Sequence, residues 1–163
     1  MPTILYVCTG NTCRSPMAEA IARRWLAHGG LGENAEVIVA SAGVFAADGS
    51  PPSPEAINAL ATLGIEHYGR SRRLTAEMVR QAEVVFCMTR SHVAAVRSLV
   101  EDEEAEQVGI ELLEPDGDVE DPIGMGQDVY DSLSVRFMEL VPRRLKEMLA
   151  GERHEDADDC AGR

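Results

Sequence analysis

The chain has 163 residues and a mass of 17.7 kDa, which is the length of one domain. Hydrophobic residues make up 45% of it, an ordinary globular share that allows a sizeable core. No apolar run approaches the ~20 residues that span a bilayer, and the N-terminus lacks the basic flank of a signal peptide. Four cysteines without a secretory signal do not resemble a disulfide framework, so we predict a cytoplasmic protein with reduced thiols.

The net charge of −13 is concentrated in one block of the chain. Residues 101–121 carry eleven acidic residues and no Lys or Arg, whereas residues 1–100 are almost neutral. Such a block repels nucleic acid and anionic lipid, so we expect neither nucleic acid nor a membrane as a partner. A small anionic ligand remains compatible with the neutral part. We interpret the acidic block as a solvated face and expect a monomer.

The first half of the chain predicts two strands and two helices. Buried strands show as short aliphatic runs, and helices show as apolar residues three and four apart between a capping residue and a glycine. The predicted elements are a strand over 4–7, a helix with Ser15 as N-cap and Pro16 as its first residue that ends at Gly29-Gly30, a strand over 37–40, and a helix from Ser53-Pro54 to Gly64.

The second half continues the alternation and ends in a polar tail. Its predicted elements are a short helix from Thr75 to Gln81, a strand over 84–88, a helix from Thr89 or Ser91 through Val100, a strand over 110–113, and a last helix from about Asp128. Pro142 should kink or split that last helix. From Gly151 onward the composition predicts a disordered acidic tail, so we predict a domain over 1–150 and a tail over 151–163.

Strands that alternate with helices predict the fold class. The pattern is typical of an α/β domain with a doubly wound, mainly parallel four-stranded sheet and helices on both faces. In such folds, ligands bind beyond the carboxyl ends of the strands, where the strand order switches. The loop that begins at Cys8 leaves the first strand at that position, so we expect the functional site there.

Residues 8–15 have the composition of an anion site. Successive backbone N–H groups in a tight loop that enters a helix N-terminus form a concave phosphate site, and Gly10 permits the conformation. The guanidinium of Arg14 matches two phosphate oxygens. Cys8, at the base of this ring, would lie in a positive potential that favours the thiolate. A thiolate beneath a phosphoryl group is a nucleophile for in-line displacement.

The segment 7–19, V-C-T-G-N-T-C-R-S-P-M-A-E, resembles the phosphate-binding loop (P-loop) of the low-molecular-weight protein-tyrosine-phosphatases. The family pattern is a cysteine, five residues, then arginine and serine. The likeness continues through Ser41-Ala42-Gly43 and Asp121-Pro122, and it covers residues 3–149 by order of elements. It implies a cysteine-dependent hydrolase of phosphorylated proteins that forms a phosphocysteine intermediate and needs no metal or cofactor.

The resemblance also implies roles for individual residues. Cys8 would be the nucleophile, Arg14 the phosphate clamp, and Asp121 the general acid and then the general base. Ser41 would support the loop, and the Ser15 hydroxyl would hydrogen-bond the thiolate. The phosphate-binding residues would be Thr9, Gly10, Asn11, Thr12, Cys13 and Ser15.

Three positions, Thr12, Phe45 and Ile123, bear on substrate selectivity. Tyrosine-specific members usually carry a bulky aliphatic residue at Thr12, and threonine there, with the run 41–46, is similar to the bacterial protein-arginine-phosphatase branch. A small polar side chain leaves room for a planar guanidinium, with which Asp121 can pair. Ile123 replaces the aromatic residue that the family places after Asp-Pro, and Phe45 could supply a wall instead. We predict phosphoarginine as the substrate, with phosphotyrosine as the alternative.

Two other functions could use the same loop. An arsenate reductase would need further redox cysteines close together, whereas Cys87 and Cys160 are far apart in the chain. A non-enzymatic phosphocarrier would store phosphocysteine and would not require Asp121. Cys13 is either a packing residue or, as the redox partner in the family, forms a reversible disulfide with Cys8.

The remaining chemistry-bearing residues predict structural roles. Cys87 lies in an apolar strand and is predicted to be core, and Cys160 is an incidental thiol of the tail. Four histidines show no metal-ligand spacing with the cysteines and are predicted to be surface or loop residues: His28, His67, His92 and His154. No metal site is predicted.

Overall fold

A four-stranded, all-parallel sheet forms the centre of the protein. Its strands are β1 (Thr3–Cys8), β2 (Ile38–Gly43), β3 (Val84–Cys87) and β4 (Gly109–Leu112), in the order β2-β1-β3-β4. The computed structural model describes residues 1–159, with side chains described for residues 1–149. The predicted doubly wound α/β fold is confirmed.

Within residues 1–159, six helices cover both faces of the sheet. They are α1 (Arg14–Ala27), α2 (Pro54–Thr62), α3 (Ala76–Gln81), α4 (Arg90–Ser98), α5 (Asp102–Gln107) and α6 (Gln127–Asp159). Ile4 and Tyr6 of β1 belong to the core that α1, α2 and α6 cover, whereas Leu5 and Val7 belong to the core under α3, α4 and α5. A strand covered on both faces has no polar side, so it appears in the sequence as a continuous apolar run.

Most helix starts agree with the capping residues predicted from the sequence. Ser53 and Thr75 accept hydrogen bonds from the backbone N–H groups three residues on, and Thr89, rather than Ser91, does the same for α4. The start of α1 differs: its N-cap is Cys13, with no side-chain cap, so the predicted capping role of Ser15 is wrong. The Ser15 hydroxyl is bonded elsewhere, to the side chains of the loop.

Two helices differ from the sequence pattern. The acidic block contains α5, which the pattern does not predict; three acidic residues in its first turn suit the positive end of the helix dipole. The last helix, α6, continues through Pro142 without being split. It extends to Asp159, and residues 160–163 of the predicted tail lie outside the described residues. The domain boundary at residue 150 stays a prediction.

The topology places two loops at one edge of the sheet. From β1 the chain passes through α1 to β2 on one side, and β3 then pairs with the other side of β1. Because all strands are parallel, the loops after β1 and β3 leave the sheet next to each other at the carboxyl edge. Across residues 1–159, no helix combines the length and apolarity needed to cross a bilayer.

Candidate active site

The backbone carbonyls of the loop between β1 and α1 accept hydrogen bonds from segments outside the loop. Three N–H groups donate to them, Val44 to Cys8 (3.0 Å), Phe45 to Thr9 (2.9 Å) and Ser53 to Thr12 (2.9 Å). The C=O and N–H of a trans peptide point in opposite directions. The N–H groups of Thr9, Gly10 and Cys13 therefore point away from these outer partners. This orientation leaves them available to a bound anion.

Asn11 braces the loop from within. Its backbone lies in the left-handed region with φ 56°, which asparagine tolerates better than most residues. Its side-chain amide donates to Ser15 Oγ (2.8 Å) and to Ser41 Oγ (2.9 Å), and its Oδ1 accepts from the N–H of Arg72 (2.9 Å). One buried side chain thus ties the loop to α1, to β2 and to the segment before α3.

These bonds fix which side chains of the site donate a hydrogen bond and which accept one. Ser41 Oγ donates to the buried Glu19 carboxylate (3.1 Å) and accepts from Asn11. Ser15 Oγ also accepts from Asn11, so its own proton is free for Cys8 Sγ, which lies 2.9 Å away. The chain of donors runs from the asparagine amide to the cysteine sulfur. It can therefore stabilise a negative charge on that sulfur.

Gly43 allows β2 to approach the loop. A Cβ at this position would collide with the carbonyl oxygen of Thr9 and would lie 2.9 Å from the nitrogen of Asn11. Both atoms belong to the backbone of the loop, so a side-chain rotation could not relieve the contact. The glycine of the Ser41-Ala42-Gly43 segment is required by this close approach.

Arg14 is buried, and its guanidinium has defined partners. Nη1 donates to the carbonyl oxygen of Val119 (2.8 Å), and Nη2 donates to Thr9 Oγ1 (3.4 Å). Nη2 also lies 3.6 Å from Asp121 Oδ2. Asp121 is half-exposed, and its Oδ1 accepts from the N–H of Ile123 (3.1 Å). The fold thus brings Arg14 close to an acid more than one hundred residues away in the chain.

Cys13 is a free, buried thiol in the structure, as are Cys8 and Cys87. Its Sγ lies 3.2 Å from the hydroxyl of Tyr130 and 3.4 Å from Ser53 Oγ. Burial and the bond to Cys13 raise the pKa of Tyr130 to about 12. The sequence pattern did not single out Tyr130. A regulatory disulfide between Cys8 and Cys13 stays a prediction.

The substrate-selectivity residues differ in exposure. Thr12 is partly buried, with Oγ1 3.7 Å from Cys13 Sγ. The side chain of Phe45 is 84% exposed and that of Ile123 64% exposed. The N–H of Phe45 is bonded to the loop, and the N–H of Ile123 is bonded to Asp121, which lies beside Arg14. Exposed apolar side chains near an anion site supply contact area for the body of a substrate.

His92 corrects the prediction that the histidines are surface or loop residues. It belongs to the first turn of α4, is only 4% exposed, and its Nε2 lies 2.8 Å from Thr9 Oγ1. Burial and the Arg14 guanidinium lower the pKa of His92 to about 4. Its position five residues after the carboxyl end of β3, a neighbour of β1, is the signal that could have revealed it. The side chain of His154 lies outside the described residues.

The lowered pKa of His92 predicts a pH dependence of folding. In the unfolded chain this histidine titrates near 6.5, so between pH 6.5 and 4 the unfolded state binds a proton that the folded state does not. The contribution of neutral His92 to the free energy of unfolding is therefore fully present above pH 6.5, and it is lost as the pH drops through this window. At pH 4.5 the loss from this group is about 2–3 kcal/mol.

Denaturant titrations of the wild type and of His92→Gln at pH 7 and pH 4.5 measure this loss. The variant has no titrating group at position 92. Between pH 7 and pH 4.5, its free energy of unfolding should therefore fall by about 2–3 kcal/mol less than that of the wild type. Burial also lowers the pKa of His67, but that group is present in both proteins and cancels in the comparison. Equal acid losses in the two proteins would contradict the assignment.

In the part of the chain with described side chains, no group of three or more His, Cys, Asp or Glu residues is arranged to hold a metal ion. The donors that the structure leaves for a ligand at the loop are the backbone N–H groups and the Arg14 guanidinium, because the Asn11 amide and the Ser15 hydroxyl are bonded within the site. This donor set suits an oxyanion with several acceptor oxygens.

Comparison with known proteins identifies the family. The model of the low molecular weight phosphotyrosine protein phosphatases matches residues 3–154, and the chain belongs to this family. It is accordingly a cysteine-dependent phosphatase, a class that acts on phosphorylated proteins.

The similar proteins include both arginine phosphatases and tyrosine phosphatases. A protein-arginine-phosphatase of Bacillus subtilis is 36% identical over 89% of this chain and 95% of its own length. The structure of an arginine phosphatase from Geobacillus stearothermophilus superposes with a TM-score of 0.80 at 36% identity, covering 95% of this chain and 97% of that one. A low molecular weight protein tyrosine phosphatase from T. tengcongensis gives a TM-score of 0.79 at 34% identity, with 90% and 99% coverage.

Proposed function

We propose that the protein removes the phosphoryl group from phosphoarginine in proteins through a phosphocysteine intermediate. The observation that carries this proposal is the one loop on which a hydrogen-bonded sulfur, Cys8, and a buried guanidinium, Arg14, meet the distant carboxylate of Asp121. Nucleophile, phosphate clamp and proton donor are the three groups that two-step phosphoryl transfer needs.

In the first step, the Cys8 thiolate attacks phosphorus and forms the S–P bond while the P–N bond to the substrate breaks. The leaving guanidine nitrogen takes the proton of Asp121, whose half-exposed carboxyl can reach a bound substrate. In the second step, Asp121 takes a proton from water, the oxygen attacks phosphorus, and the S–P bond breaks. Inorganic phosphate leaves and the thiolate is restored.

Charge in the transition state is spread over the equatorial oxygens of the phosphoryl group. In our proposal the backbone N–H groups of the loop and the fork of Arg14 bind these oxygens, and the Ser15 hydroxyl stabilises the sulfur as an anion and as a leaving group. Ser41 supports the loop through Asn11. The residues that we assign to phosphate binding are Thr9, Gly10, Asn11, Thr12, Cys13 and Ser15.

Thr12 and the relatives support arginine as the phosphorylated residue. The two relatives that cover most of this chain at 36% identity are arginine phosphatases by name. A threonine side chain leaves space for a planar guanidinium, and its hydroxyl can contact the leaving nitrogen. The guanidinium group also offers N–H donors to the oxygens of the Asp121 carboxyl, whereas the bridging oxygen of a phosphorylated phenol offers none.

Thr12→Ile tests this selectivity. We expect the variant to lose activity on a phosphoarginine peptide and to keep or gain activity on a matched phosphotyrosine peptide. The ratio of the two kcat/KM values should shift at least about tenfold towards phosphotyrosine, a change of about 1.4 kcal/mol. Thr62→Ile, at an exposed threonine of α2, is the matched control and should leave the ratio unchanged. An unaltered ratio in Thr12→Ile would remove Thr12 as the selector.

Phosphotyrosine is the second candidate substrate. Tyrosine phosphatases are among the relatives, and the exposed ring of Phe45 could stack on a phenyl group. A clear preference of the wild type for the phosphotyrosine peptide would select this candidate and keep the mechanism. The position of the Asp121 carboxyl beside Arg14 supports a hydrolase over a carrier, because a carrier has no use for an acid–base group at the phosphate site. We propose further that the protein acts as a monomer in the cytoplasm, without nucleic acid or membrane as a partner.

A further inference from the structure

His92 contacts the phosphate-binding loop from a different part of the chain: the loop lies between β1 and α1, whereas His92 follows β3. It lies on α4, which follows β3, and β3 pairs with β1 so that Cys87 stands opposite Val7. The N–H of His92 donates to the Thr89 cap (3.2 Å), which fixes the residue in the first helical turn. Its Nε2 is then 2.8 Å from Thr9 Oγ1.

Thr9 is in turn a partner of the Arg14 guanidinium. Arginine has only donors, so its Nη2 takes one lone pair of the Thr9 hydroxyl oxygen (3.4 Å). The bond to His92 uses a second hydrogen-bonding position of that hydroxyl, and the two bonds together restrict its rotation. The second contact of Arg14, from Nη1 to the carbonyl of Val119, involves the backbone only. The Thr9 hydroxyl is therefore a side-chain contact of Arg14 whose orientation depends on His92.

The charge around His92 suits this arrangement. The charged groups that act on it are the Arg14 guanidinium and the carboxylates of Asp118 and Asp121, and its pKa is lowered to about 4. The ring is therefore neutral near pH 7 and holds Thr9 without adding a positive charge beside Arg14. Its Nδ1 is buried with no hydrogen-bond partner among the described residues. A buried polar atom of this kind destabilises the fold, which favours a functional reason for keeping the histidine.

We infer that His92 is a positioning residue for phosphate binding, which holds the Thr9 hydroxyl so that it orients the guanidinium of Arg14. The inference rests on the proposed function, in which Arg14 binds the phosphoryl oxygens. A guanidinium that rotates away from its two-oxygen geometry loses one of its two hydrogen bonds to phosphate. Loss of His92 should therefore weaken the binding of phosphate and of the transition state together.

The test compares His92→Ala, His92→Gln and Thr9→Val in the 163-residue chain. We measure kcat/KM on a phosphopeptide and the Ki of inorganic phosphate as a competitive inhibitor. His92→Ala should raise the Ki and lower kcat/KM, each about tenfold, as expected for one hydrogen bond to a charged site. Glutamine reaches the same point with a neutral amide and should restore most of both values.

The double variant Thr9→Val/His92→Ala distinguishes positioning from general damage. If both residues act through one contact, its loss should be about tenfold, like either single change, and not about a hundredfold. Val96→Ala removes a buried side chain from the same helix, in the core on the other face from α1, and is the matched control. It should lower the free energy of unfolding and leave the phosphate Ki unchanged.

The outcomes separate this inference from the proposed function. A wild-type Ki and kcat/KM in His92→Ala, no restoration by glutamine, or multiplying losses in the double variant would each overturn the positioning role. A wild-type protein that neither hydrolyses phosphopeptides nor binds inorganic phosphate would instead refute the proposed function. A Ki raised by Val96→Ala as much as by His92→Ala would assign the effect to helix stability and overturn the inference.

Discussion

Replacing the sulfur of Cys8 by oxygen in Cys8→Ser should lower kcat by roughly 10⁴-fold or more, because the serine hydroxyl is not ionised near neutral pH and has no base beside it. Among the side chains of residues 1–149, the hydrogen-bond partner of Cys8 Sγ is the Ser15 hydroxyl, which is itself neutral. Initial rates with an aryl phosphate and with a phosphoarginine peptide measure the loss. The groups that we assign to phosphate binding are untouched, so inorganic phosphate should still bind in calorimetry.

Cys87→Ser is the matched control for this change. Cys87 lies fully buried in β3, and burial raises the pKa of its thiol to about 12, so it supplies no thiolate. The control should lose stability because a polar group enters an apolar core, and it should keep its turnover per folded molecule. Activity retained in Cys8→Ser, or lost equally in Cys87→Ser, would overturn the assignment of the nucleophile.

Asp121→Ala should cause the second large loss, and this loss should depend on the leaving group. Without a proton donor, expulsion of a poor leaving group such as a guanidine or an unsubstituted phenol becomes about 10²–10⁴-fold slower. A dinitrophenolate leaves without a proton and should be affected less than about tenfold in the first step. A series of aryl phosphates with leaving groups of different acidity measures the contrast.

The adjacent exposed acid provides the control for charge. Glu120→Ala removes the same formal charge one residue away, where the structure records no bond to Arg14 among the described side chains. We expect its dependence on the leaving group to match that of the wild type. An equal loss for good and poor leaving groups in Asp121→Ala would remove its role as the acid. A similar loss in both variants would indicate a general effect of the acidic block.

The parts of the site that are contiguous in the sequence could be predicted from it. The order of residues 8–15 places donors, guanidinium and thiol within one loop, and the short aliphatic runs around it predict the strands. Asp121 could be proposed only from the resemblance, because an Asp-Pro pair is common in turns. The structure supplies its contact with Arg14.

Contacts between distant elements could not be predicted in this way. His92, Glu19 and Tyr130 enter the site because α4, α1 and α6 pack at particular rotations against the sheet, and periodicity does not give these rotations. The helix start at Ser15 shows a second limit. Serine is a good N-cap, but here its hydroxyl bonds Cys8 and Asn11, so tertiary contacts override the local preference.

The hydrogen bonds that the loop carbonyls accept from neighbouring segments have a consequence for inhibition by the product, inorganic phosphate. Because β2, its following turn and the cap of α2 already hold the ring in shape, an arriving oxyanion needs to order little of the backbone. If the loop binds the phosphoryl group of a substrate as we propose, the same preformed ring also binds free orthophosphate. Turnover should therefore slow as orthophosphate accumulates, which makes the enzyme responsive to the phosphate status of its surroundings.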